Sequence, residues 1–133
     1  LGRIFWGEAG RGAAQGSVAN DQAGGWTALG VRPQPADGAT VVASRSHRDQ
    51  ATDDYLKTIK VKSLASAGSS LKFCLVAAAE ADIYPRFGRT MEWDTAAGHA
   101  IAAEAGKQLI DVTTNEPMRY NKASLVNNWF IVQ

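Results

Sequence analysis

The sequence predicts an α/β fold, a layered sandwich in which a mostly parallel sheet is flanked by helices and preceded by a small antiparallel hairpin. Short β-prone segments separated by glycine-rich turns occupy residues 1–35, and from Thr40 onward β-prone segments alternate with segments of helical periodicity. The composition is 45% hydrophobic and 20% charged, close to the average for globular proteins. This composition excludes a disordered chain and a fibrous one.

The hairpin is predicted near the start of the chain. Ile4–Trp6 is a short β-prone run, a loop punctuated by glycines covers residues 7–16, and the chain returns through Ser17–Ala19. The glycine spacing does not match a dinucleotide-binding loop and no amphipathic helix follows it, so a hairpin turn is the better interpretation. A further β-prone segment, Gly25–Val31, ends before Pro33, which cannot donate a hydrogen bond within a sheet.

The rest of the chain alternates between strands and helices. The predicted strands are residues 39–47, Val61–Ala67, Asp82–Tyr84, Leu109–Val112 and Trp129–Val132. The predicted helices are Asp49–Lys60, Leu71–Ala81 and Asp94–Ala105. A small-residue turn, Gly68–Ser70, is expected to cap the second helix, and Gly106 to end the third. In a parallel sheet built this way, ligands bind beyond the carboxyl ends of the strands.

Charge and cysteine content exclude several classes of function. The chain has 14 Lys and Arg residues against 13 Asp and Glu residues, a formal net charge of +1. This balance gives no overall field for nucleic acid or an anionic membrane, so any anion site must be local. A single cysteine, Cys74, excludes an intrachain disulfide framework and favours a reducing, cytoplasmic compartment. Cys74 lies between apolar neighbours and is predicted to be a core residue.

The beginning of the chain indicates a fragment. The sequence starts at Leu1 within a β-prone segment, without an initiator Met and without a signal segment. We therefore expect the first strand to have a neighbour in an upstream part of a longer protein. No apolar stretch approaches the ~18 residues of a membrane span.

A carboxylate stands at the predicted start of the third helix. Asp94 is followed by side chains too small to obstruct a ligand. It can be an N-cap, or a ligand for a hard cation such as Mg²⁺. One carboxylate does not hold a catalytic magnesium ion, and Glu92 is expected to point elsewhere, so further ligands would come from outside this chain. His99 lacks a partner at zinc-motif spacing and is expected to be a packed or solvated helical residue.

Basic and polar residues form a second candidate site. His47 follows a predicted strand, Ser69 and Lys72 stand at the start of the second helix, and Arg86 follows the short strand that includes Tyr84. Each lies near the predicted carboxyl end of a strand. A helix start with a hydroxyl group and a lysine suits a phosphate group. The alternatives are solvated basic side chains and a purely capping role for Ser69.

Several segments resemble a known family. Residues 93–98, Trp-Asp-Thr-Ala-Ala-Gly, resemble the second signature of the magnesium-dependent, lithium-sensitive phosphatase superfamily that includes inositol monophosphatase. Residues 68–76 and 81–88 resemble its 3'(2'),5'-bisphosphate nucleotidase branch, which acts in bacterial sulfate assimilation, and residues 44–47 fit the same branch. The resemblance covers nearly the whole chain and is weakest over residues 20–37.

The resemblance implies half of an inositol monophosphatase-like fold. Residues 1–37 would be strands of an amino-terminal subdomain, and residues 38–133 the carboxyl-terminal α/β subdomain. The implied reaction is the magnesium-dependent hydrolysis of adenosine 3',5'-bisphosphate to AMP and phosphate. The implied partners are the nucleotide bisphosphate and the missing amino-terminal half of the same protein, with a homodimer left open. The implied location is the cytoplasm, with peripheral binding at the inner membrane also left open.

Residue by residue, the resemblance makes Asp94 a magnesium ligand. It also implies that four residues contact the nucleotide, namely His47, Ser69, Lys72 and Arg86. They would chiefly contact its spectator phosphate, which is the phosphate that is not removed. The branch assignment depends on the Lys72 and Arg86 pair, which inositol monophosphatases generally lack. The family's first acidic signature, D-P-[IL]-D-G-T, does not occur in this sequence, so the chain alone is expected to be inactive. The alternatives are an inositol monophosphatase-type sugar phosphatase and a non-catalytic module that binds a nucleotide or a partner.

Overall fold

The computed structural model describes residues 2–44 and 49–133, and within these ranges it contains nine strands and three helices. The strands are β1 (Arg3–Glu8), β2 (Gly12–Ala19), β3 (Gln22–Ala28), β4 (Ala39–Ala43), β5 (Val61–Ser66), β6 (Tyr84–Arg86), β7 (Leu109–Asp111), β8 (Glu116–Pro117) and β9 (Phe130–Val132). The helices are α1 (Gln50–Thr58), α2 (Leu71–Ala77) and α3 (Glu92–Glu104).

The first sheet is antiparallel, in the order β1-β2-β3, and contains the predicted hairpin. β1 pairs with β2 so that Trp6 lies opposite Ala14, and Gly10 in the turn has a φ of 74°, which glycine adopts without steric cost. The loop is shorter than predicted. Residues 12–16 belong to β2. The small Ala13 side chain is buried against Ala105 at the end of α3, and this contact holds the start of the strand on the helix.

The third strand of this sheet begins earlier than predicted, at Gln22 rather than Gly25. Asn20 and Asp21 both have positive φ values, 51° and 60°, and form a two-residue turn that reverses the chain at once. The prediction of small antiparallel strands in this part of the chain is confirmed, with a different boundary for the third strand.

A two-stranded parallel sheet and a four-stranded antiparallel sheet are joined by a bridge, and together they form a mixed sheet. β4 and β5 are parallel neighbours, and Val41 of β4 forms a parallel bridge with Ile83, next to β6. The strands β6, β9, β7 and β8 follow in that order, and each neighbouring pair is antiparallel. The α/β class is therefore confirmed, but the expected mostly parallel sheet is wrong. Residues 112–115 join β7 to β8 in a tight turn, whereas parallel neighbours need a crossover of a dozen or more residues.

The predicted helices are present with altered ends. α1 follows Asp49, whose carboxylate accepts a hydrogen bond from the Thr52 backbone N–H at 2.9 Å. α2 ends at Ala77 rather than at Ala81, because Ala79 has a φ of 55°, which does not continue a right-handed helix. Within residues 2–44 and 49–133, no helix has the length and apolar character needed to cross a membrane.

The main hydrophobic core lies between α2, α3 and the mixed sheet. Phe73 of α2 packs against Tyr84 and Phe130, with ring centroids 5.2 and 5.8 Å away. Gly98 of α3 faces Phe73, and a Cβ atom at Gly98 would come within 2.6 Å of the Phe73 ring. α2 and α3 therefore approach closely. Cys74 of α2 is buried, and burial raises the pKa of its thiol, as expected for a core cysteine.

The first sheet packs on α3 through small residues. Ala13 of β2 lies in a buried cluster with Ala105, and Ile101 of α3 packs against this cluster. A Cβ atom at Gly7 of β1 would come within 2.9 Å of the Ile101 Cα atom, so the strand and the helix are in backbone contact. The boundary between residues 37 and 38 stays a prediction.

Candidate functional site

A cavity of about 540 Å³ lies at the carboxyl ends of the parallel strands. It is lined by Ser44 and Ala67, which directly follow β4 and β5, and by Arg86, the last residue of β6. β4, β5 and the Ile83 bridge are parallel, so these ends meet at one edge of the sheet. The parallel part of the sheet is small, yet the cavity lies at its carboxyl edge, where a ligand site was expected.

Most of the predicted site residues lie around this cavity. Four of the five line it, namely Ser69, Lys72, Arg86 and Asp94. The fifth, His47, lies outside the described residues. The structure thus places the four side chains together, while the roles assigned to them stay predictions.

Lys72 is a buried cation, with 3% of its surface exposed. Its Nζ donates hydrogen bonds to the carbonyl oxygens of Ala67 at 3.2 Å and Ser69 at 2.8 Å, and lies 5.1 Å from the Tyr84 ring centroid. Burial, together with the nearby charge of Arg86, lowers the pKa of this ammonium. No carboxylate within residues 2–44 and 49–133 forms an ion pair with it.

Tyr84 is the aromatic neighbour of this ammonium. The side chain is buried, and burial raises the pKa of its hydroxyl to about 12. The ring is therefore neutral near pH 7 and contributes a cation–π contact to Lys72. Lys72 remains without a negative partner in the described part of the chain.

Arg86 has an unused hydrogen-bond donor. Its Nη2 donates to the carbonyl oxygen of Arg89 at 3.4 Å, whereas its Nε is buried and has no partner among the described residues. A buried N–H group without an acceptor costs free energy. An oxygen atom of a bound anion would satisfy this donor and would also compensate the charge.

Ser69 does not cap α2. The N-cap residue is Ser70, which makes no side-chain capping hydrogen bond, and α2 has only seven residues. Ser69 has a φ of 46° and its carbonyl accepts the hydrogen bond from Lys72. The alternative that gave Ser69 a capping role is therefore wrong, because the helix starts one residue later than that role requires.

Asp94 is the third residue of α3, and the helix begins at Glu92 rather than at Asp94. The N-cap is Met91, whose backbone N–H donates to Asp94 Oδ2 at 2.8 Å. The N-cap interpretation of Asp94 is thus wrong in position, although its carboxylate still stabilises the same helix end. Asp94 is exposed and lines the cavity.

Glu92 is directed away from this cavity, as expected. Its carboxylate accepts hydrogen bonds from the backbone N–H groups of Asn121 and Lys122, at 2.8 and 3.1 Å, and from Lys122 Nζ. The Lys122 ammonium and these N–H groups lower the pKa of Glu92. Across the described ranges, no group of three or more His, Cys, Asp or Glu side chains could hold a metal ion.

His99 is a packed helical residue, as expected. It is half-buried, its Nδ1 lies 3.0 Å from the Tyr120 hydroxyl, and burial lowers its pKa. It does not line the cavity.

Further residues that were not predicted from the sequence line the cavity. Arg89 is exposed and forms no ion pair within the described residues, and Trp93 is 66% exposed beside Asp94. Three cations and one carboxylate among the described residues therefore line the cavity. Arg89 follows Arg86 by three positions, but nothing in the sequence distinguishes it from an ordinary solvated arginine.

Comparisons with known proteins agree with the sequence resemblance. The model of the inositol monophosphatase family matches residues 1–131. The chain is 44% identical over 121 residues to the 3'(2'),5'-bisphosphate nucleotidase CysQ of Escherichia coli (strain K12), covering 90% of this chain and 48% of that protein. It is 48% identical over 99 residues to CysQ of Salmonella typhimurium, covering 74% of this chain and 39% of that protein. The chain spans about half the length of the E. coli relative.

Solved structures give the same result for the fold. The crystal structure of CysQ from Bacteroides thetaiotaomicron, described as a bacterial member of the inositol monophosphatase family, superposes with a TM-score of 0.84 at 40% identity. The alignment covers 98% of this chain and 53% of that one. Mycobacterium tuberculosis SuhB shares the fold, with a TM-score of 0.65 at 23% identity over 98% of this chain and 47% of that one. The expected half of such a fold is confirmed.

Proposed function

The chain belongs to the inositol monophosphatase family, and from that premise we propose that it is part of a Mg²⁺-dependent 3'(2'),5'-bisphosphate nucleotidase. The reaction would convert adenosine 3',5'-bisphosphate to AMP and phosphate. The observation that carries this proposal is the pair Lys72 and Arg86, two cations that line one cavity without a carboxylate partner in the described part of the chain.

Lys72 and Arg86 would bind the spectator phosphate. An ammonium has three N–H donors, and two of those of Lys72 serve the Ala67 and Ser69 carbonyls, so one is left for a phosphate oxygen. The partnerless Nε of Arg86 is a second donor. Hydrogen bonds between charged groups of this kind are short and strong, and they orient the ester that reacts. His47 and Ser69 would add polar contacts to the nucleotide.

Asp94 can supply one ligand to a magnesium ion, but not a complete set. The ion prefers an octahedral shell of oxygen atoms, and Asp94 is the one carboxylate that lines the cavity among the described residues, since Glu92 is held by Lys122. The other protein ligands would come from the part of the relatives that this chain does not cover. When bound, the ion would supply positive charge against the charge that develops on the transferred phosphate.

We propose further that this chain is the carboxyl-terminal part of a longer protein. The "complete enzyme" below means this chain joined to the amino-terminal half that supplies the remaining acidic residues. The 133-residue chain alone would bind without turnover. Homodimer formation and a cytoplasmic location stay predictions from the family resemblance, and we do not propose peripheral binding at the inner membrane.

Two substrates test the assignment to the nucleotidase branch. Lys72→Ala or Arg86→Ala in the complete enzyme should lower kcat/KM for adenosine 3',5'-bisphosphate roughly 10- to 150-fold. This factor corresponds to a loss of about 1.5 to 3 kcal/mol of transition-state stabilisation, the range for a lost hydrogen bond to a charged group. Hydrolysis of inositol monophosphate should hardly change, because it has no second phosphate to bind. Steady-state kinetics on both substrates measure the difference.

Matched variants control for charge. Lys57→Ala and Arg119→Ala remove exposed cations that pair with Asp54 and Glu116 and do not line the cavity, so both should leave kcat/KM within about twofold. If the cavity variants lower kcat/KM equally for both substrates, the result would favour a sugar phosphatase. Nucleotide binding by a complete enzyme that lacks turnover would favour a binding module instead.

A further inference from the structure

The guanidinium group of Arg86 lies beside the position that a Cβ atom would occupy at Gly88. A Cβ atom at Gly88 would be 3.3 Å from the Arg86 Cζ atom, 3.4 Å from Nη2 and 3.5 Å from Nε. The same side chain donates to the carbonyl oxygen of Arg89 at 3.4 Å. The guanidinium thus folds back over the residues that directly follow it in the chain.

Backbone conformation does not require glycine at this position. Gly88 is not among the glycines with positive φ, so an alanine could adopt its backbone geometry. The three atoms nearest to such a Cβ all belong to the Arg86 side chain. The space that Gly88 leaves is therefore space for the guanidinium group.

The guanidinium also lies beside a second positive charge. Its Nε is buried without a partner in the described ranges, and it is close enough to Lys72 to lower the pKa of that ammonium. Two like charges repel each other, and no carboxylate among the described residues forms an ion pair with either of them. A small displacement would move a donor that an anion must reach at about 2.7 to 2.9 Å.

We infer that Gly88 is a positioning residue, which holds the Arg86 guanidinium in place for the spectator phosphate by leaving room for it. The inference rests on the proposed function, because a phosphate-binding role for Arg86 is what makes its position matter. An alanine would displace the guanidinium by a few tenths of an ångström without disturbing the core. The consequence would be weaker substrate binding in a protein of unchanged stability.

The test compares Gly88→Ala with Gly30→Ala in the complete enzyme. Gly30 is a suitable control, because a Cβ atom there would meet nothing within 4 Å and its φ is not positive. Gly88→Ala should raise KM for adenosine 3',5'-bisphosphate by about threefold to tenfold with kcat within about twofold, as for lost ground-state binding. Urea unfolding midpoints should match the parent enzyme for both variants.

A double-mutant cycle separates positioning from a structural effect. In the Arg86→Ala background a Cβ atom at Gly88 has no guanidinium to displace, so Gly88→Ala should cause no further loss. An equal loss in both backgrounds, or failure of Gly88→Ala to fold, would overturn the inference. If Arg86→Ala weakens substrate binding but Gly88→Ala does not, the positioning role of Gly88 is overturned and the proposed function stays intact. No loss with Arg86→Ala would overturn both.

Discussion

Lys72 and Arg86 are positive groups held in the cavity without a negative partner among the described residues. Burying the Lys72 ammonium and the Nε of the half-buried Arg86 in this way costs free energy, and stability alone gives no reason to retain both. A bound phosphate group would compensate both charges and satisfy the Nε donor of Arg86. At the scale of single residues, these two side chains are therefore better explained by ligand binding than by folding.

Asp94 combines a helix-stabilising contact with its proposed metal role, and one substitution separates the two. Asp94→Asn keeps an oxygen that can accept the hydrogen bond from Met91 but removes the charge that a cation needs. We expect turnover by the complete enzyme to fall by on the order of 100-fold or more. The melting temperature without metal should change little, since the lost charge–dipole term is only about 0.3 to 1 kcal/mol.

The matched control for this substitution is Asp49→Asn at the N-cap of α1, which does not line the cavity. It should leave turnover within about twofold, because an asparagine caps a helix about as well as an aspartate. If Asp94→Asn instead melts the protein while activity per folded molecule is unchanged, Asp94 serves only the helix.

At the scale of the elements, the contact between α2 and α3 determines the geometry of the cavity. α2 carries Lys72 and α3 carries Asp94, and the two helices meet where Gly98 faces Phe73. A glycine in a helix interior is unfavourable by up to ~1 kcal/mol relative to alanine, so its presence here needs a packing reason. The close approach of the Phe73 ring is that reason.

Gly98→Ala should therefore destabilise the protein instead of stabilising it. The added Cβ atom would come within 2.6 Å of the Phe73 ring, so the helices must separate, at a cost of about 1 to 3 kcal/mol for overpacking. Urea unfolding of the complete enzyme measures this change. Gly24→Ala, where a Cβ atom would meet nothing within 4 Å, should stay within about 0.5 kcal/mol. Higher stability of Gly98→Ala would show that the helices are not held at this distance.

At the scale of the whole molecule, the described residues contain the cavity proposed to bind phosphate but not a complete metal site. Asp94 is the one carboxylate that lines the cavity in the described ranges, and the chain spans about half the length of the E. coli relative. We expect the 133-residue chain alone to show no magnesium-dependent phosphatase activity above background. Co-expression with the amino-terminal half as a separate polypeptide should give a complex that copurifies and is active.

Two measurements make this test decisive. Circular dichroism of the chain alone shows whether it is folded, so that a lack of turnover can be attributed to missing ligands rather than to unfolding. Magnesium-dependent turnover of adenosine 3',5'-bisphosphate by the homogeneous chain would contradict the expectation. The metal site would then have to include residues that we assign to structure.

The sequence by itself determined the family, the α/β class and most elements. The signature at residues 93–98 is local, and hairpins and helices follow from residue periodicity and turn chemistry within short segments. It also indicated which residues would gather at the strand ends, because parallel strands share an edge. Ser69, Lys72, Arg86 and Asp94 do line one cavity.

Only the tertiary structure decided how the distant parts of the chain meet. It places β9 between β6 and β7, antiparallel to both, and it turns Glu92 toward Lys122, 30 positions along the chain. It also brings Arg89 to the cavity and leaves Nε of Arg86 without a partner in the described ranges. These features depend on contacts between residues far apart in sequence, whereas periodicity and capping rules describe only neighbours within a few residues of one another.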